Sequence, residues 1–171
     1  MPICHLWALA ENQEEFDNLI KAAGDRLVVV DFFGASCKGC LKMEPDLNAV
    51  AATPALQKTC TFVKMRIDGQ KEFARREKVK VIPYLGFYSA AAGKLAGYQT
   101  VPQRAKGLRA NIQTILDNPG KHFAVDPNDF LVVSEPPSED SNSARLMALL
   151  EMQKKKSELG AHLNKLGKKS A

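Results

Sequence analysis

Leu27-Val28-Val29-Val30-Asp31-Phe32-Phe33, followed after three residues by Cys37-Lys38-Gly39-Cys40, is the stretch that decides the reading of this 171-residue chain. β-Branched and aromatic residues in an almost unbroken apolar run describe a strand buried on both faces. A helix is expected from about Lys38 to Ala52, with a kink at Pro45, whose ring and missing N–H disturb the helical ladder. Cys37 therefore falls where a strand gives way to a helix start. Unpaired N–H groups and a partial positive charge there favour thiolate over thiol. Cys40 lies one turn further on, in reach of a mixed disulfide formed at Cys37. The pair reads as a reversible dithiol–disulfide couple, with Cys37 the nucleophile and Cys40 the resolving thiol. Two other readings compete. A zinc site would need a second ligand pair, yet Cys4 and Cys60 stand alone and His122 and His162 are distant, so no metal is expected. A bridge across two residues closes too short a loop to stabilise a fold by chain entropy. No cofactor is called for either.

Composition bounds the rest. An apolar share of 45% supplies a proper core, and four cysteines do not suggest a secreted disulfide framework. No run approaches the roughly 18 apolar residues of a membrane span, and no signal-peptide pattern opens the chain. The net charge of +5 is uneven: residues 121–143 are acidic and residues 144–171 basic. Aromatic residues are missing from the basic end, which argues against nucleic-acid binding and for an interaction tail.

Along the chain, Ile3–Trp7 reads as a short first strand. Asn12 with Glu15 resembles a capping box before a helix carrying Phe16, Leu19, Ile20 and Ala23, which Gly24 ends. Strands are expected at Thr61–Asp68, Tyr84–Ser89 and Lys94–Tyr98, with a short helix around Phe73–Glu77 and a final one from Pro102 to about Asp117. Alternating strands and helices imply an α/β fold, a mixed central sheet flanked by helices. The expected organisation is a domain over 1–118, a Pro-rich acidic linker over 119–142 that forms an extended strap, and a basic amphipathic helix and tail over 143–171. Leu149, Met152, Leu159, Leu163 and Leu166 form its apolar stripe.

Several separated features, in register, resemble thioredoxin from Ile3 to about Asp117. Asp31 stands six residues before Cys37, Pro45 five after Cys40, Ile82-Pro83 matches a loop with a cis proline facing the disulfide, and Gly93 matches the last hairpin turn. Within that superfamily the site looks most like the atypical Cys/His-rich thioredoxins of plant and algal chloroplasts. The resemblance implies the thioredoxin fold and a protein-disulfide oxidoreductase. It places Asp31 as the buried acceptor of the Cys40 proton, with a structural carboxylate as the alternative, and Lys64 as the partner of Asp31, with a solvated strand-end lysine as the alternative. It implies a cis peptide at Pro83 rather than an ordinary trans loop proline, which frees the Ile82 backbone for an extended substrate and keeps metal from the thiols. Ser36, Lys38 and Gly39 replace the usual tryptophan and the usual Gly-Pro, so they belong to the substrate surface but do not carry the family's substrate choice with them. Thr100-Val101 stand where a glycine is expected. Lys38 and the loss of proline at Gly39 imply a couple less reducing than the roughly −270 mV of thioredoxin.

Two functions follow. The first is exchange of the Cys37–Cys40 disulfide with protein substrates bearing thiols or disulfides. The alternative is a thioredoxin-fold structural or regulatory subunit docked on an assembly partner through residues 143–171. The expected location is the chloroplast stroma or another organellar or cytosolic reducing compartment. Neither a membrane span nor a nucleic-acid partner is expected.

Overall fold

The structure, a computed structural model, describes residues 6–134. Residues 3–5, with Cys4, and the whole of 143–171 lie outside the described residues. The Leu27–Phe33 run forms β2, in which every residue but Phe33 is buried. It pairs on one edge, in parallel, with β3 (Cys60–Arg66) and on the other, antiparallel, with β4 (Tyr84–Ser89). β1 (Ala8–Ala10) adds in parallel to β3, and β5 (Gly93–Gln99) adds antiparallel to β4, giving the order β1-β3-β2-β4-β5. This is the mixed sheet expected of the sequence. Of the expected first strand only Leu6 and Trp7 are described; they lie just ahead of β1, and Trp7 rests edge-on against Phe62, ring centroids 5.1 Å apart.

Alternation along β2 divides the core in two. Val28, Val30 and Phe32 point to the side of α1 (Gln13–Ala22) and α4 (Lys71–Arg76), joining Phe16, Ile20 and Phe73. Val29 points to the side of α2 (Lys38–Ala51), joining Met43, Leu47, Phe62, Leu85 and Phe87. A sheet covered on both faces needs apolar residues at every β2 position, which is why the run does not alternate.

Local signals set the helix ends. The Asn12 side chain accepts the Glu15 N–H at 2.9 Å, while Glu15 reaches back to the Glu11 N–H at 2.8 Å, one residue beyond the usual box. Gly24 follows α1 at φ +60°, where a Cβ would be disfavoured. Pro45 lies inside α2 without ending it. A short helix, α3 (Pro54–Thr59), precedes β3, and the last helix starts as a 3-10 turn at Pro102–Gly107 before α5 (Leu108–Asp117).

Residues 119–134 differ from the expected strap. β6 (His122–Val125) and β7 (Leu131–Ser134) form an antiparallel hairpin. Asp126 shapes its turn, its Oδ1 accepting the N–H groups of Asn128 (2.8 Å) and Phe130 (2.9 Å). The hairpin is tied to α5 by Asn111, buried to 1% exposure. Its amide donates to the Tyr98 hydroxyl (2.6 Å) and the Asp129 carbonyl (2.7 Å), and its carbonyl accepts the Leu131 N–H (2.7 Å). Leu131 is thereby carried into the core on the α2 side. Proline and acidic residues suggested an open chain; here Pro127 and Asp129 serve the turn while alternate apolar residues serve the strands.

Leu131→Ala should therefore lower stability by roughly 2–5 kcal/mol, as for a buried leucine. Urea unfolding of the full chain measures it. A loss below about 0.5 kcal/mol, the scale of a surface change, would mean the hairpin is no part of the core.

Candidate active site

β2 ends at Phe33, and three residues turn the chain into α2. Cys37 caps the helix: extended at φ −81°, ψ 94°, it accepts the Cys40 N–H on its Sγ at 3.1 Å. Cys37 and Cys40 are joined in a disulfide, with Cα atoms 5.3 Å apart. Cys40 is buried and Cys37 half-buried, so only one sulfur of the bond is open to attack.

Ile82–Pro83 is cis. A Cβ built on Gly39 would stand 3.2 Å from the Pro83 Cγ, so the first turn of α2 lies directly on the proline ring. That contact, more than loss of helix rigidity, is what a glycine at 39 provides. The Pro83 carbonyl accepts the N–H of buried Thr100 at 3.1 Å, which holds the loop against the start of the final turn. Among the described residues no backbone hydrogen bond takes the N–H or carbonyl of Ile82. Ser36, Cys37, Lys38, Gly39, Ile82 and Pro83 line one open groove. Asp68, expected only as the last residue of a strand, joins them. Its carboxylate accepts the Ala35 N–H at 2.8 Å and the Arg66 Nε–H at 3.1 Å, and these bonds hold its pKa below the ordinary value. Only its position two residues past the end of β3 could have signalled it.

Behind the disulfide, Asp31 faces the α2 side of the sheet, paired in register with Lys64 on β3 and Leu85 on β4. It is 2% exposed, and its Oδ1 has no hydrogen-bond partner among the described residues. Burial pushes the Asp31 carboxyl up to about 6; the Lys64 charge opposes the rise and the Glu44 charge adds to it. The expected Asp31–Lys64 ion pair is not made. The Lys64 ammonium is held by Glu44 of α2 instead, with the Phe33 ring centroid 5.9 Å away. Strand register brings the two residues side by side, but a flexible four-carbon stem lets the charge seek a partner nearer the surface.

Two features lie apart from the groove. Cys60 is buried, and burial raises its thiol pKa, which keeps it protonated. A cavity of about 710 Å³ sits between α1, α4 and the β4–β5 turn. The polar groups at its inner wall bond to one another: Tyr88 donates to Glu77 at 2.8 Å, and Lys94 to the Tyr84 hydroxyl at 3.1 Å. Among the described residues no three His, Cys, Asp or Glu side chains gather as a metal site, and no helix is long and apolar enough to cross a membrane.

A family model described as Thioredoxin matches residues 8–114. Thioredoxin-like 2, chloroplastic, of Oryza sativa subsp. japonica is 36% identical over 85 residues, 50% of this chain and 38% of that protein. A thioredoxin of Geodia cydonium is 31% identical over 104 residues, 60% of this chain and 92% of its own. The chain thus spans well under half the length of the chloroplastic relative. Among solved structures, thioredoxin from Trypanosoma brucei brucei superposes with a TM-score of 0.56 at 19% identity, covering 69% of this chain and 98% of that one. Spinach chloroplast thioredoxin f superposes at 0.51 and 23% identity, covering 60% and 88%. At those identities the likeness shows the fold.

The buried carboxyl ties stability to pH. Its pKa is raised from 3.8 to about 6, so the folded state favours the neutral form. That contribution is complete below pH 4 and lost as pH rises through 6. Asp31→Asn should then be more stable than the parent at pH 7, by about 3 kcal/mol at most. The gain should vanish at pH 4. Urea unfolding at the two pH values decides it; an equal gain at both would detach the effect from ionisation.

Proposed function

Since this chain belongs to the thioredoxin family, we propose that it is a thiol–disulfide oxidoreductase that exchanges the Cys37–Cys40 bond with protein substrates. The observation that carries the reading is the disulfide itself, capping a helix start with one sulfur accessible and lying beside a cis proline. In the reductive direction the Cys37 thiolate attacks a substrate disulfide and expels one substrate sulfur as thiolate. Cys40 then attacks the Cys37 sulfur of the mixed disulfide, the second substrate sulfur leaves, and the proton of Cys40 passes to Asp31. The reverse sequence oxidises a substrate dithiol. Asp31 suits this duty because a pKa near 6 lets it both take and return a proton close to neutrality. The unpaired Ile82 backbone offers an extended substrate segment an edge to bond to, as in strand addition. Ser36, Lys38 and Gly39 form the rest of that surface, polar where a flat aromatic would otherwise lie.

Lys38 at the helix start stabilises the Cys37 thiolate and so favours the reduced form. We place the couple above thioredoxin in potential for that reason. Relatives named as chloroplastic support an organellar, plastid-type location.

The full chain should reduce insulin disulfides with dithiothreitol as donor. Cys37→Ser should lower the rate to background, and Cys40→Ser should leave a trapped mixed disulfide visible by mass. Titration against a glutathione series should give one two-electron transition with a midpoint less negative than about −270 mV. Failure of the two cysteines to cycle would sink the enzymatic reading, and a midpoint below thioredoxin's would refute the role given to Lys38.

A further inference from the structure

We infer that Glu44 is a positioning residue that governs when Asp31 can take a proton, acting through Lys64 without touching the reacting sulfurs. The inference rests on the disulfide-exchange reading above and extends it to how the proton acceptor is kept in its working state.

The arrangement runs from solvent inward. Glu44 stands on α2 four residues past Cys40, with its side chain 43% exposed; Lys64 is next, at 21%; Asp31 is innermost and sealed. Asp31 and Lys64 are register partners on adjacent parallel strands, side chains on the same face. An amine so placed would ordinarily turn to the buried carboxylate, since a buried charge without a partner is costly. It turns to Glu44 instead, and Asp31 keeps an oxygen without any partner among the described residues.

The charges facing Asp31 are few. β3 contributes Lys64, and α2 contributes Glu44 and the buried Cys40, while β4 presents Leu85 and Phe87. Glu44 acts on this set twice, with one sign. Its own negative charge disfavours a second carboxylate nearby, and by holding the ammonium it keeps Lys64 from bonding the Asp31 carboxylate, whose ionised form the lysine then favours only through space. Both effects favour the protonated acid. The acid is then poised near the working pH: as carboxylate it removes the proton of Cys40 when that sulfur attacks Cys37, and as acid it returns the proton when Cys40 leaves as thiolate. Removing Glu44 would commit Lys64 to Asp31 and make the acceptor a weaker base.

The test reads Asp31 directly, by carbon NMR of its carboxyl group through a pH titration of the reduced full chain. Glu44→Gln, nearly isosteric and partly exposed, should lower the Asp31 midpoint by about 1 pH unit. Glu44→Asp should restore most of the shift, and Lys64→Met should raise the midpoint. The pH profile of insulin reduction should move in the same direction as each midpoint. A folded Glu44→Gln protein whose Asp31 midpoint stays put or rises would overturn the inference, whatever happens to its melting temperature. Because the titration needs no turnover, an inactive parent chain would end the functional reading while leaving this result to stand or fall alone.

Discussion

Pairing of β2 along both of its edges is the constraint from which the reactive end of the molecule follows. β3 runs parallel to it and β4 antiparallel, so the end of β2, the end of β3 and the start of β4 meet at one rim of the sheet. Each supplies a piece: the cysteine helix follows β2, Asp68 follows β3, and cis Pro83 precedes β4. Register does the fine placement. Phe32 opposite Tyr84 sets Pro83 level with the first turn of α2, where Gly39 leaves room for its ring. A slip of one residue would turn Asp31 to the wrong face and carry the proline away from the disulfide.

The parts of this arrangement carried by short-range pattern were legible in the sequence. An uninterrupted apolar run can serve only a strand covered twice, a CxxC at a helix start can be read for reactivity without coordinates, and Tyr84–Ser89 was placed to the residue. What escaped depends on where side chains end. Register puts Lys64 beside Asp31, yet the ammonium lies with Glu44, a residue that no motif or spacing in the sequence marks. The hairpin escaped for a different reason. Its prolines and acidic residues describe a strap on composition, and the bonds that tie that segment down, from Asn111 and Arg104, cross 18 to 25 residues of sequence.

The interior of the sheet carries an opposition between burial and charge. Burial is the largest influence on Asp31 and favours its neutral form; the adjacent cation favours the charged one. Neither wins outright, and a residue held between two protonation states is expensive in stability while being useful to proton transfer. The second buried acid takes the other course. Glu77 accepts hydrogen bonds from Tyr88 and Arg76 and is fully occupied by structure. Two buried carboxylates on opposite faces of one sheet thus differ in whether the fold has given them partners, and that difference separates a reagent from a brace.

Asn111 has a consequence for the order in which the chain assembles. Its three bonds span 13, 18 and 20 residues, so the last helix, β5 and the hairpin can gather by closing short loops. β1 must find β3 across 55 residues, from Ala8 to Val63. Closed on its own, a loop of that length costs about 1 kcal/mol more than one of 20. The C-terminal side of the sheet is therefore a locally encoded unit, quick to form, while the N-terminal edge waits for the centre to be built. The extra hairpin lengthens the chain without slowing its search, because it adds contacts where sequence and space already run together.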